Sequence, residues 1–125
     1  HLASNALVRG AEGQLDIVLV NVIMNAVQAA AAVASDPLVT VVSSAQGDSV
    51  MVSITDNGPG IPQSQRNQVF DPFFTTKPDG SGLGLGLAIS QSIVTAIGGT
   101  LSCDTDYEEG GRFIMTLPLA FGRQV

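Results

Sequence analysis

The pattern of apolar and polar positions predicts two helices and four strands. Apolar side chains recur at helical spacing over residues 13–34, and Pro37 ends this first helix. A second helix is predicted from Leu85 to Ile97, because Gly98-Gly99 stops it. Apolar and β-branched runs predict strands at Leu38–Ala45, Val50–Thr55, Thr100–Thr105 and Arg112–Leu117. The order of helix, two strands, helix and two strands indicates helices layered on one face of a mixed sheet.

A long stretch, residues 61–83, separates the second strand from the second helix. Its prolines, glycines and phenylalanines indicate an ordered lid with one helical turn near Gln63–Val69. It leads into a glycine ladder at Gly80, Gly82, Gly84 and Gly86. Alternating glycines expose backbone amides, and a helix start leaves its first amides unpaired, so the ladder favours an anion such as a polyphosphate. A flexible linker or a tight strand-to-helix turn is the alternative interpretation.

Three amide side chains form a narrow polar stripe on the first helix. Asn21, Asn25 and Gln28 fall within a sector of roughly 60° on a helix that is otherwise apolar almost all round. Uncharged amide oxygens suit Mg²⁺ that already carries phosphate ligands. Buried amides bonded to backbone or to neighbouring loops are the alternative.

Asp56 ends the second strand on the same face as Val50, Val52 and Ile54, so it is expected to point toward the covered side of the sheet. A buried carboxylate needs a fixed donor, and the exocyclic amine of a purine would serve. The following Asn57-Gly58-Pro59-Gly60 lets backbone approach a flat ligand, but the motif taken alone favours a simple turn.

Lys77 is the only lysine of the chain, and it precedes the glycine ladder, where it could reach a terminal phosphate. A solvated surface charge is the alternative. Phe70, Phe73 and Phe74 are expected to anchor the lid on the body of the domain, and Arg112 is expected to be a strand-edge cation.

Composition indicates one folded domain, residues 1–125, with 45% hydrophobic and 13% charged residues. The net charge of −6 argues against nonspecific nucleic-acid binding. Cys103 is the single cysteine, so no internal disulfide is expected. Residues 15–34 approach the length of a membrane span, but polar residues interrupt them, and a soluble buried helix is expected. The start at His1, without Met, hints at a fragment of a longer protein.

Five motifs, in order, resemble one family. They are Asn21-x-x-x-Asn25-Ala26, Asp56-x-Gly58-x-Gly60, Phe70-x-Pro72-Phe73-Phe74, the ladder from Gly80 to Gly86, and Gly110-Gly111-Arg112-Phe113. They look like the N, G1, F, G2 and G3 boxes of the ATP-binding catalytic domain of sensor histidine kinases. This domain belongs to the superfamily shared with DNA gyrase, mismatch-repair ATPases and the ninety-kilodalton heat-shock chaperone. The lid sequence most resembles the nitrogen-regulation and C4-dicarboxylate-sensing branch, and is closer to the latter.

The resemblance implies a two-layer α/β (α+β) sandwich of the Bergerat type. In it, three helices cover one face of a mixed, about five-stranded sheet, and ATP lies under a lid at about 61–83. It implies Asn25 as the Mg²⁺ ligand, Asn21 near the phosphates and Asp56 as the reader of the adenine amine. Asn21, Asn25 and Lys77 would be the catalytic residues. The remaining implied ATP contacts are Gly58, Gly60, Ile61, Phe70, Thr75, Thr76, Gly82, Leu83, Gly84, Leu85 and Gly86.

The function implied by the resemblance is transfer of the ATP γ-phosphoryl group to a histidine on a separate helical dimerisation domain, which this chain lacks. Onward transfer would reach an aspartate of a response regulator. The full-length protein would be a homodimeric inner-membrane sensor of a bacterium, with this domain in the cytoplasm, away from membrane and nucleic acid. Gln28 and Ser81 stand where many relatives have basic residues, which leaves Lys77 and Arg66 as nearby cations.

Three other functions stay open from the sequence. An ATP-gated conformational ATPase would carry an acidic residue at the position of Asn21 to orient water. A serine kinase of the anti-sigma type shares the boxes but usually lacks the Phe73-Phe74-Thr75-Thr76-Lys77 lid. A nucleotide-binding regulatory module without catalysis is the third.

Overall fold

The structure is a computed structural model that describes residues 12–66, 68–72, 86–104 and 106–118, with the side chains of the first helix described from Leu15 onward. Its elements are α1 (Glu12–Val33), β1 (Val39–Gln46), β2 (Ser49–Asp56), a 3-10 turn (Gln63–Gln65), α2 (Gly86–Ala96), β3 (Thr100–Cys103) and β4 (Gly111–Pro118). The predicted helices and strands are confirmed, with bounds that differ by one or two residues. Gly47 turns the β1–β2 hairpin in the left-handed region, at φ 59°.

The four described strands form one sheet in the order β1-β2-β4-β3, and every neighbouring pair is antiparallel. The two-layer α/β sandwich is therefore confirmed, but the mixed sheet is not seen among the described strands. The physical reason lies in the connections. The crossover through α2 brings β3 back in the same direction as β2, as in a parallel sheet. However, β4 then inserts between these two strands, so each described neighbour runs the opposite way.

The core lies between one face of this sheet and the two helices. β2 alternates strictly, and its buried residues are the predicted ones, Val50, Val52, Ile54 and Asp56. Opposite them on β4 are Leu117, Met115, Phe113 and Gly111. From α1, buried residues recur at every fourth position: Val18, Val22, Ala26 and Ala30. Asp56 is thus the only buried carboxylate among the described strands.

The expectation that α1 is buried all round is wrong for its outer face. Ile17, Val20, Met24 and Val27 lie there and are exposed, because the sheet and α2 cover only the opposite side of the helix. The segment Leu15–Val33 is long and apolar enough to cross a membrane, a test that the core helix of a soluble domain also passes. Its inner face packs on β2 and α2 as a core helix does.

Candidate nucleotide-binding site

The carboxylate of Asp56 lies where β2 leaves the sheet, at the edge of the core. The residue is 4% exposed. Its Oδ1 atom accepts N–H bonds from Gly58 at 2.8 Å and from Gly111 at 3.3 Å, and no described residue donates to Oδ2. Burial raises the pKa of this carboxyl group above its usual value, and the two backbone N–H bonds oppose that rise. The structure therefore presents a carboxylate that is held through one oxygen, while its second oxygen has no donor among the described residues.

Glycines surround this carboxylate because larger residues would not fit. A Cβ atom on Gly58 would lie 2.5 Å from the carbonyl oxygen of Ala29 on α1. A Cβ on Gly111 would lie 2.7 Å from Oδ2 of Asp56. The close packing around the carboxylate thus depends on glycine at both positions.

Asn57 fixes the start of the loop that follows β2, a role that the sequence alone did not assign. Its Oδ1 atom accepts the N–H of Leu38 at 2.9 Å, and its Nδ2 atom donates to the carbonyl of Asp36 at 2.9 Å. The backbone N–H of Asn57 also donates to the carbonyl of Leu38 at 3.2 Å. These bonds tie the α1–β1 connection to the residue next to Asp56. An Asn directly after a strand and before Gly-Pro-Gly was the available signal.

Asn21 lies at the other end of the site, next to the start of α2. A Cβ atom on Gly86, the first residue of α2, would lie 3.9 Å from Cγ of Asn21. The Nδ2 atom of Asn21 donates to the hydroxyl of Ser90 at 3.3 Å, and Ser90 is fully buried. Gln28, the third amide, is exposed. Asn21 therefore lies beside the first turn of α2, and the N-terminus of a helix favours an anion.

Asn25 lies between these two ends on the same edge of α1. Asn21, Asn25 and Ala29 are spaced four residues apart, and Ala29 contacts Gly58 beside Asp56. The edge from Asn21 to Ala29 spans eight residues, about 12 Å of helix. No described residue bonds the side-chain amide of Asn25. An elongated ligand along this edge would meet a carboxylate at one end and a helix start at the other.

Ile61 and Phe70 are both half-buried and pack against the core. The Phe70 ring meets Phe113 of β4 edge-on, with centroids 6.0 Å apart. Phe70 is thereby attached to the body of the domain, as expected for a lid anchor. The other residues proposed for the lid and ladder, Thr75, Thr76, Lys77, Gly82, Leu83, Gly84 and Leu85, lie outside the described residues, as do Phe73 and Phe74.

Both arginines that the structure describes bind other residues of the protein through their side chains. Arg66 was expected as a cation near the phosphates, but this expectation is wrong, because its side chain is buried and donates to three backbone carbonyls. Arg112 lies on the opposite face of the sheet. Its Nε atom donates to Thr55 Oγ1 at 3.1 Å, its guanidinium stacks over the Tyr107 ring at 4.0 Å, and it pairs with Asp104 at 3.6 Å.

Among the residues that the structure describes, no group of three or more His, Cys, Asp or Glu side chains could hold a metal ion. Cys103 is half-buried in β3, and burial raises the pKa of its thiol, while the nearby positive charge of Arg66 lowers it.

This fold and this arrangement define a class of ATPase domain. Residues 10–121 match the family model of histidine kinase-, DNA gyrase B- and HSP90-like ATPases. The match spans most of the chain, so the chain belongs to this family.

Within the family, the relatives are sensor histidine kinases. The sensor histidine kinase ZraS of Escherichia coli (strain K12) is 37% identical over 111 residues, which are 89% of this chain and 23% of that protein. The sensor protein TdiS of Thauera aromatica is 34% identical over 85% of this chain and 20% of its own. The C4-dicarboxylate transport sensor protein DctB of Pseudomonas aeruginosa is 37% identical over 82% of this chain and 17% of the DctB chain. The chain therefore spans about a fifth of the length of these relatives.

Solved structures agree. The nucleotide-free catalytic domain of the histidine kinase ThkA is 33% identical, with a TM-score of 0.72, and covers 85% of this chain and 66% of its own. Full-length ShkA in complex with AMPPNP is 33% identical, with a TM-score of 0.74, over 87% of this chain and 22% of its own. The chain is thus similar to the catalytic ATP-binding domains of sensor histidine kinases.

Proposed function

We propose that this domain binds ATP with Mg²⁺ along the edge of α1, with the adenine ring against Asp56. The observation that carries the proposal is the fixed carboxylate: its Oδ1 atom is held by Gly58 and Gly111, and no described residue donates to its Oδ2 atom. A charge-assisted bond from the adenine amine to Oδ2 would fix the orientation of the base.

The phosphate end of the proposed site is the edge of α1 that carries Asn21 and Asn25, next to the start of α2. Asn25 would hold Mg²⁺ through its amide oxygen, and the backbone amides at Gly86 and at the ladder before it would face the phosphates. Mg²⁺, when bound, neutralises charge on the phosphates. Lys77 is proposed to add a second positive charge at the γ-phosphate.

The proposed reaction is transfer of the γ-phosphoryl group to a histidine of a separate helical domain. An imidazole nitrogen of that histidine attacks the γ-phosphorus, the bond to the β,γ-bridging oxygen breaks, and ADP leaves. This chain contributes no covalent nucleophile, so its part is positioning and charge neutralisation. The neutral amide at Asn21 favours transfer over hydrolysis, because a carboxylate would be needed to orient water.

The exposed outer face of α1 is consistent with the docking of a partner helix. Ile17, Val20, Met24 and Val27 are exposed and are spaced three, four and three residues apart, the spacing of a coiled-coil seam. Asn21 flanks this seam. A helix of the phosphoacceptor domain seated there would bring its surface next to the phosphate end of the site.

Phosphotransfer between separately produced domains tests this function. The chain is mixed with γ-labelled ATP, Mg²⁺ and the dimerisation domain of the same protein. Acid-labile, base-stable label on that domain is the expected result. Release of free phosphate without such label would indicate a conformational ATPase instead, and acid-stable label would indicate a serine kinase.

The metal role of Asn25 is tested with Asn25→Asp. We expect the variant to fold like the parent and to transfer phosphate at least tenfold more slowly, because the added charge alters Mg²⁺ coordination at the phosphates. A transfer rate equal to that of the parent at all Mg²⁺ concentrations would contradict the proposed metal role.

The relatives' length supports a larger protein around this domain. We infer a bacterial inner-membrane sensor that acts as a homodimer, with this domain in the cytoplasm, and onward transfer of the phosphoryl group to an aspartate of a response regulator.

A further inference from the structure

Arg66 is a buried cation with an unusual set of partners. It follows the 3-10 turn Gln63–Gln65 and is 8% exposed. Its Nε atom donates to the carbonyl of Ile61 at 2.7 Å, its Nη1 atom to that of Asp104 at 3.0 Å, and its Nη2 atom to that of Tyr107 at 3.1 Å. Within the described ranges no carboxylate pairs with it. A buried charge is costly without such bonds, so the three carbonyls fix this side chain strongly.

The three carbonyls belong to two separate segments of the chain. Ile61 follows Gly60 directly, in the loop that leaves β2 beside Asp56. Asp104 and Tyr107 lie in the β3–β4 connection, about 40 residues further along the chain. The planar fork of a guanidinium bonds all three at once, which a lysine ammonium on a flexible stem cannot reproduce. Arg66 therefore joins these two segments.

Both segments lead directly to the Asp56 carboxylate. The β3–β4 connection ends at Gly110 and Gly111, and the Gly111 N–H bonds Asp56 Oδ1. Gly60 and Gly110 meet backbone to backbone, since a Cβ on Gly60 would lie 2.7 Å from the Gly110 carbonyl oxygen. A shift of either segment would therefore change the N–H donors that orient the carboxylate.

We propose that Arg66 is a positioning residue for purine recognition: by joining the Ile61 segment to the β3–β4 connection, it holds Asp56 in the orientation that reads the amine. This inference rests on the proposed binding of ATP at Asp56. It assigns no contact between Arg66 and the nucleotide. If the proposal is right, purine selectivity depends on Arg66 although its side chain does not touch the purine.

The test compares ATP with purine riboside triphosphate, which lacks the 6-amino group, by calorimetry with Mg²⁺ at 20 °C. The variants are Arg66→Met, which keeps an unbranched stem but loses every donor, and Arg66→Lys. The control is Arg112→Met, which removes a cation that contacts the same connection only through the side chains of Asp104 and Tyr107. The parent is expected to prefer ATP, and Arg112→Met to keep that preference within twofold.

For Arg66→Met we expect ATP affinity to fall at least tenfold and affinity for the analogue less than threefold, so that selectivity is lost. Arg66→Lys is expected to fall between parent and Arg66→Met. If Arg66→Met is unfolded by circular dichroism at 20 °C, Arg66→Lys decides the question.

Unchanged selectivity in the deciding variant would overturn the proposal, and so would an equal loss for both ligands, which is the result of a general loosening of the fold. If the parent itself did not bind ATP or did not prefer it to the analogue, the assignment of Asp56 to adenine would fail, a result distinct from the failure of Arg66.

Discussion

At the scale of single residues, Asp56 is placed for binding at the expense of stability. Its burial raises the pKa of the carboxyl group, which means that the folded protein holds the charged form less well than water does. The bonds from Gly58 and Gly111 recover part of this loss. A substitution that removes the charge of Asp56 is therefore expected to weaken ligand binding and to raise the stability of the fold.

Asp56→Asn should weaken ATP binding and stabilise the ligand-free domain at neutral pH. Asparagine keeps the Oδ1 acceptor that Gly58 and Gly111 use, but it places an NH₂ group where the adenine amine needs an acceptor. Loss of a bond to a charged group costs about 1.5–3 kcal/mol, so calorimetry should show affinity lower by roughly 10- to 150-fold. The melting temperature without ligand should rise. Unchanged affinity would refute the adenine assignment.

The raised pKa of Asp56 also determines how the stability of the domain changes with pH. Because the folded pKa of Asp56 lies above its usual value, its favourable contribution is complete below about pH 3.8 and is lost as pH rises through the raised pKa. The gain in unfolding free energy from Asp56→Asn should therefore be largest at neutral pH and shrink on acidification. Denaturant unfolding of both proteins from pH 3 to pH 7 measures this difference.

At the scale of elements, three sides of α1 differ in what they contact. Its inner side packs in the core, its edge carries Asn21 and Asn25, and its outer side is the exposed seam that includes Val20 and Met24. Loops attach to this helix through backbone contacts. The contact of Gly58 with Ala29 is the one that sets the distance between the Asp56 loop and the helix.

Gly58→Ala should destabilise the domain by about 1–3 kcal/mol, because the new methyl group meets the Ala29 carbonyl and neither backbone can easily move. Its control is Gly47→Asn in the β1–β2 turn. Nothing lies within 4 Å of a Cβ there, and asparagine tolerates the φ of 59°, so unfolding free energy should change by less than about 0.5 kcal/mol. Equal urea midpoints for the two variants would contradict the close contact.

Val20→Lys should leave ATP affinity and the melting temperature close to the parental values but reduce phosphotransfer to the helical domain at least tenfold. Val20 is 59% exposed in the middle of the seam, so its replacement removes no core contact but places a charge where the partner helix would pack. Val42→Lys is the matched control, because this valine is 44% exposed on β1, away from α1. Similar transfer rates for both variants would exclude the seam as the docking face.

Sequence patterns predicted the elements and the positions of several residues of the candidate site. Alternation placed Asp56 on the covered face, and helical spacing put Asn21 and Asn25 on one edge. The antiparallel neighbours were not predictable, because the insertion of β4 between β2 and β3 is a non-local choice that no periodicity records. The exposed side of α1 was missed because apolar residues surround the helix, so composition does not reveal which side is covered. Arg66 was misassigned, since its partners are backbone carbonyls, which have no sequence signature.

At the scale of the whole molecule, the chain carries a net charge of −6. It is thus an acidic domain that is proposed to bind a polyanion. Long-range electrostatics oppose this binding, and short-range groups must overcome them: in the proposed site these are the start of α2, Lys77 and a metal ion at Asn25.

Removal of Mg²⁺ should therefore weaken ATP far more than a ligand without phosphates. With Mg²⁺, ATP at 100 times its dissociation constant should stabilise the domain by about 2.7 kcal/mol, which scanning calorimetry detects as a higher melting temperature. With EDTA, most of this rise in melting temperature should disappear. Higher salt should restore part of it, because salt screens the repulsion between the acidic domain and the phosphates of ATP. Adenosine at saturating concentration is the control, because it meets Asp56 but carries no charge. If EDTA reduced both effects alike, the metal would support the fold itself, whereas loss for ATP alone assigns it to the phosphates.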